Sequence, residues 1–220
     1  MSPTSSDPGC DTILPDGQHQ VFNWNNPNYP FRYNNMVRFG TSGVRQSCFF
    51  HAILRAIDED FGKLSREQRE NRARQLRNEL AEYLTKPVDP LDPNSPIVYN
   101  VLSRGELELM SEKLSIVSLD YMRSKLLSNE AIGQEVFELA SMYIDRDIYV
   151  LDCASKDVFR LEPDLYYKGR KSIVLLNHSG PCEHFETVGI LDVTESVVKE
   201  FQPQHEFIRA IRSRLGLPPV

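Results

Sequence analysis

The 220-residue sequence has no apolar run long enough to cross a bilayer. Its most compact apolar segments, such as Ser172 to Leu176, fall far short of the roughly 20 residues a membrane helix needs. It also lacks an excess of basic residues. Lys and Arg number 25 against 31 Asp and Glu, for a net charge of -6, which argues against a nucleic-acid surface and mildly favours a basic partner. There is no CxxC pair among Cys10, Cys48, Cys153 and Cys182, and their spacing does not suggest a structural zinc site. His178, Cys182 and His184 crowd together, but they read as a polar loop, so no metal is expected. The first dozen residues have neither the basic start nor the apolar core of a secretory signal. A reducing, cytoplasmic setting is therefore expected, in the host cytosol if the source is a pathogen, with no disulfides.

What is present is the composition of an ordinary globular protein, with 40% hydrophobic and 25% charged residues, and the length favours one domain. Residues 1–35 are rich in Pro, Asn, Ser and Asp and read as an irregular arm of turns and extended segments, with 36–220 as the domain. Val21, Phe22, Trp24, Tyr29, Phe31 and Tyr33 give the arm's second half enough apolar surface to dock, and the first dozen residues are expected to be mobile. These aromatics read as cover for a core edge before they read as partner contacts.

After Cys48, the residues Phe49, Phe50, Ile53, Leu54 and Ile57 fall at helical spacing and predict a buried helix that opens on the cysteine. Ser65 and Gln68 form a capping-box pattern ahead of a long amphipathic helix, whose Arg and Glu residues read as a solvated face. Lys86 to Pro96, with four prolines, predicts a loop. Helices are predicted near Glu106 to Leu114 and Leu119 to Leu127, then another capped by Asn129. The period then changes to 2. Asp147 to Asp152, Val158 to Glu162, Ser172 to Leu176 and His184 to Leu191 read as four strands, and a closing helix is predicted from Pro203. A helical half followed by a sheet-forming half over one core is a mixed α/β (α+β) arrangement.

Alternation puts His184 and Glu186 on one face of the last strand, about 6.6 Å apart at Cα. A glutamate there is long enough to bend back to the imidazole and fix its tautomer, the orienting part of a nucleophile, base and carboxylate triad. Cys48 at a helix N-terminus would have its thiolate favoured by the dipole, with loop N–H groups before it as an oxyanion hole. A lone cysteine at the edge of an apolar helix is more often a packed side chain than a nucleophile, and His184 alone is similarly weak evidence. Their order, with the His-x-carboxylate strand 136 residues after the cysteine (184 minus 48), matches papain-like cysteine hydrolases.

"SCFFHAIL", Ser47 to Leu54, resembles the second half of the nucleophile motif of the ovarian-tumour (OTU) family of cysteine deubiquitinases, approximately D-G-[NS]-C-[LF]-[FW]-[RH]-[AS]-[IVL]. "HFETV", from His184, is similar to the family's H-[YF]-[DN]-x-[VL] strand. Ala131 to Asp152 is similar to the segment where a family helix leads into a strand. Together these cover about Gly43 to Leu191. The resemblance implies a papain-like OTU fold, a small central β-sheet between helical layers. It also implies an isopeptidase that cleaves ubiquitin or a ubiquitin-like modifier from proteins or polyubiquitin, without a cofactor.

By position, Cys48 would be the nucleophile, His184 the base and Glu186 the acid, with the backbone of Arg45, Gln46 and Cys48 forming the oxyanion hole. The family usually has Asp and Gly where Arg45 and Gln46 stand, and Asp or Asn at Glu186. An acid from the arm, such as Asp16, is an alternative orienter, and His178 a poorer alternative base. A ubiquitin-binding module without turnover and a general papain-like peptidase remain alternative readings.

Overall fold

Continuous apolar runs bounded by turn residues form the centre of the molecule, because a strand buried on both faces needs no polar alternation. The computed structural model describes residues 10, 12–25, 32–105, 118–133, 135–160, 167–178 and 183–220. Its strands are β1 (His19–Asn25), β2 (Arg32–Phe39), β3 (Asp147–Asp152), β4 (Asp157–Phe159), β5 (Ser172–His178), β6 (His184–Leu191), β7 (Val197–Val198) and β8 (Glu200–Phe201). They make one sheet in the order β1-β2-β6-β5-β3-β4, with β7 on β6 and β8 on β5. Among the described residues β3 and β5 run parallel and the other pairs are antiparallel. Every residue of β3 and β5, and all of β6 except Leu191, is buried.

The described helices are α1 (Cys48–Ile57), α2 (Arg66–Tyr83), α3 (Val98–Gly105), α4 (Leu119–Leu127), α5 (Glu135–Ile144) and α6 (Glu206–Leu215). None is long and apolar enough to cross a membrane. α1 packs on β6 and β5, with α2 behind it and α4 and α5 against α2. Phe49 of α1 stacks on Phe137 of α5 at 4.6 Å and meets Phe185 of β6 edge-on at 5.5 Å. Thr187, two residues further along β6, donates to Ala52 O of α1 at 2.7 Å. Burying an aromatic of this size is worth about 3–5 kcal/mol against alanine, so the cluster sets where α1 begins relative to β6. α6 closes the other side through Phe207, which meets Phe201 and Tyr33.

The capping box forms as expected: Ser65 Oγ accepts from Gln68 N at 3.2 Å and Gln68 Oε1 from Ser65 N at 2.8 Å. Leu119–Leu127 and the strands at Asp147–Asp152 and His184–Leu191 match the sequence reading residue for residue. The strand predicted at Val158 to Glu162 is Asp157–Phe159, and its last predicted residues lie outside the described ones. The closing helix starts at Glu206, three residues late, where His205 Nδ1 accepts from Phe207 N. Asn129 does not cap α5, which starts at Glu135. The helix predicted at 106–114 lies outside the described residues, and α3, just before it, was not predicted.

Three corrections bear on the site. The arm read as irregular contains β1, which pairs with β2 because Phe22 and Trp24 alternate inward, at 3% and 0% exposure. Cys10, Thr12 and Leu14 are tied to the domain, while residues 1–9 and 11, for which mobility was expected, lie outside the described residues. Cys10 and Cys153 form a disulfide against the expectation of none, since the arm's docking brings their Cα atoms to 5.2 Å. The charged face of α2 is not wholly solvated. Arg69 and Arg77 lie four residues on either side of buried Ala73 and are themselves buried.

Candidate active site

The site lies where the chain enters β6. Residues 40–47 leave β2 and turn through a 3₁₀ segment, Val44–Gln46, before α1 opens at Cys48. Gly40 permits this course, since a Cβ there would run into the carbonyl of Pro15. Gln46 has φ 54°, a left-handed backbone that glycine adopts freely and a glutamine holds at a cost of about 1–2 kcal/mol. The position two before the cysteine, where the resembled motif has glycine, therefore keeps a glycine-like conformation with a glutamine in it.

Arg77 braces this turn from behind. Its guanidinium donates to the carbonyls of Leu126 (2.7 Å), Lys125 (2.8 Å), Glu130 (3.0 Å) and, at 3.4 Å, Gln46, and it lies over the ring of Phe50. Sequence reading assigned it to a solvated face; its spacing from Ala73 was the signal that it is buried.

Cys48 is a free thiol at 6% exposure, with Sγ 3.8 Å from the carbonyl of Glu183, the residue before His184. Burial pushes its pKa up. The N–H groups of Phe185, Phe49 and Cys48 itself pull the other way, and Glu183 raises it slightly. The expected dipole-stabilised thiolate is thus overridden by desolvation. His184, at 7% exposure, has its pKa lowered by burial; the charge of Glu186 raises it and His178 lowers it. At neutral pH the site holds a thiol and a neutral imidazole. The side of Gly43 where a Cβ would sit is 3.7 Å from His184 Nδ1, so the ring faces the turn that leads to Cys48. Among the described residues no hydrogen bond joins Cys48 to His184.

The expected contact between Glu186 and His184 is not formed. Glu186 shares the His184 face, as alternation requires, but its carboxylate turns away. Oε1 accepts from Leu14 N at 2.6 Å, while Oε2 lies 3.3 Å from Arg38 Nη1 and 3.4 Å from His178 Nε2. Both Arg38 and Glu186 are wholly buried. Register explains this: Arg38 pairs with Val188 across β2 and β6, and His178 with His184 across β5 and β6, so both project onto the same face beside Glu186. A buried carboxylate needs a cation and donors, and Arg38 and Leu14 supply them, with His178 Nε2 close by but not hydrogen-bonded to it. Asp16, the alternative orienter, is paired with Arg69 at 2.7 Å instead. What touches His184 is Thr41, whose Oγ1 is 3.4 Å from Nε2, a residue that sequence reading did not single out. Of the expected oxyanion donors, the Gln46 N–H is already given to Gly43 O at 3.3 Å. The Cys48 N–H faces the sulfur, and Arg45 lies in the same turn. Cys182 lies outside the described residues.

No protein-family model matches the sequence, and no curated protein matches it. Among solved structures, the chain is similar to an ovarian tumour (OTU) domain in complex with ubiquitin, at 14% identity and TM-score 0.50, over 91% of each chain. At that identity the likeness concerns architecture: the protein has a mixed α/β, OTU-like fold.

Proposed function

We propose that this protein is a cysteine isopeptidase that releases ubiquitin or a ubiquitin-like modifier from proteins or polyubiquitin chains. The observation that carries the reading is the meeting of a buried free thiol at the start of a helix with the head of the His184 strand. That it occurs within an OTU-like fold supports the substrate class, as the similar solved domain is bound to ubiquitin. The acidic balance of the chain suits a modifier with a basic tail.

In this mechanism neutral His184 takes the thiol proton as Cys48 Sγ attacks the carbonyl carbon of the modifier's terminal glycine. The oxygen of the tetrahedral intermediate is held by the Cys48 N–H and the turn before it. The lysine amine leaves with the proton from His184, and water, deprotonated by the same ring, hydrolyses the thioester. Because thiol and imidazole both start neutral, proton transfer accompanies attack rather than preceding it.

One set of observations favours a second reading, a modifier-binding module without turnover: the raised thiol, the absent Cys48 to His184 hydrogen bond and the engaged Gln46 N–H. Ubiquitin carrying a thiol-reactive C-terminus separates the two. Covalent labelling that disappears in Cys48→Ala and His184→Ala supports the isopeptidase. Saturable binding with no adduct supports the module, and the absence of both leaves a general peptidase or neither.

A further inference from the structure

Two acids that the sequence offers as orienters of His184 are engaged elsewhere, Glu186 with Leu14, Arg38 and His178, and Asp16 with Arg69. Yet the imidazole is not unsupported. Thr41, buried to 4% exposure, is beside it on the stretch between β2 and the 3₁₀ turn. A threonine hydroxyl has one proton to give. In Thr41 that proton goes to Phe185 O at 2.5 Å, leaving lone pairs on Oγ1 to face His184 Nε2 at 3.4 Å. An acceptor facing a ring nitrogen selects the tautomer that carries its proton there.

We infer that Thr41 is the positioning residue for His184: it accepts from Nε2–H, so the lone pair is on Nδ1, the nitrogen that faces Gly43 and the turn into Cys48. This rests on the isopeptidase reading for its catalytic meaning, but the tautomer assignment stands by itself. The orienting group is then a neutral hydroxyl, itself aligned by the backbone of β6 one residue beyond His184. Glu186 acts on the ring through its charge, with its carboxylate held by Arg38 and Leu14. The arrangement also ties ring and turn together, because Thr41 belongs to the same loop that leads into the nucleophile, so the base and the cysteine share a single support.

The test is made on the full chain with ¹⁵N-labelled histidine. Long-range ¹H–¹⁵N spectra resolve the ring nitrogens of the five histidines, and His184→Ala identifies the signal of His184. The expected wild-type ring is the Nε2–H tautomer, and an Nδ1–H ring overturns the inference. Thr41→Val keeps the shape and removes the acceptor. It is expected to shift the ring toward a mixed tautomer and to slow labelling by the reactive ubiquitin by about tenfold, the worth of one hydrogen bond. Thr41→Ser restores both. A folded Thr41→Val with wild-type ring signals and wild-type labelling also overturns it. If wild type is never labelled, the isopeptidase reading falls, while the ring spectrum still decides the role of Thr41.

Discussion

In Glu186→Ala, Arg38 retains Thr12 O at 2.6 Å and Gln20 Oε1 at 3.0 Å but loses its contact with a wholly buried carboxylate. Leu14 N–H loses its acceptor at the same time. Removing one partner of a buried ion pair costs about 3–5 kcal/mol. For a chain of this length each kcal/mol moves the melting point by about 2–4 °C, so a fall of about 6–20 °C is expected. The effect on chemistry should be smaller. Glu186 makes no hydrogen bond to His184 and only raises its basicity through its charge, so kcat/KM per folded molecule should fall by less than about tenfold. Trp24, the single tryptophan, is fully buried in β1 and reports unfolding by fluorescence. Glu186→Gln keeps an acceptor for Leu14 and should lose less stability than the alanine. A Glu186→Ala protein that melts like wild type but has lost about a thousandfold in turnover would refute this reasoning, since losses of that size mark a group acting in the transition state.

Gln46→Gly should stabilise the fold by about 1 kcal/mol, since the left-handed backbone at φ 54° would no longer carry a Cβ, and labelling by the reactive ubiquitin should be retained. A lower midpoint in urea would show that the glutamine side chain contributes more than its backbone costs. His51 is fully buried with neither ring nitrogen hydrogen-bonded among the described residues, and burial lowers its pKa to about 4. A folded pKa below the unfolded one means that the unfolded chain binds the proton first. Stability should therefore drop by about 1.4 kcal/mol per pH unit as pH falls from 6.5 toward 4. His51→Leu should flatten that part of the stability profile measured by urea unfolding at successive pH values; an unchanged slope would assign the acid sensitivity elsewhere.

Where periodicity and capping chemistry agreed, the elements were legible in the sequence: α1 from its apolar spacing, α2 from Ser65 and Gln68, and β3 and β6 from their bounded apolar runs. The arm was harder. Its Asn, Pro and polar residues suit turns, and the alternation of Phe22 and Trp24 counts as a strand only once β2 supplies a partner and a buried face. The disulfide was illegible for a similar reason: Cys10 and Cys153 are 143 positions apart, and only docking of the arm brings them together. α5 begins later than Asn129 suggests because that stretch lies in a bend, where the carbonyl of Glu130 is held by Arg77.

By itself the sequence determined that a cysteine opens a helix, that His184 and Glu186 share one face of a strand, and that a helical stretch is followed by sheet-forming runs and a closing helix. These are local facts, set by side-chain period and by the backbone preferences of each residue type. Only the tertiary structure decided what each of these groups touches. A long buried carboxylate goes to the cation and donor that the fold brings closest, so Glu186 went to Arg38 and Leu14, with His178 nearby, and the place beside His184 was left to Thr41. The protonation of Cys48 was decided in the same way, because desolvation depends on everything packed around a group, and no stretch of sequence read alone contains that.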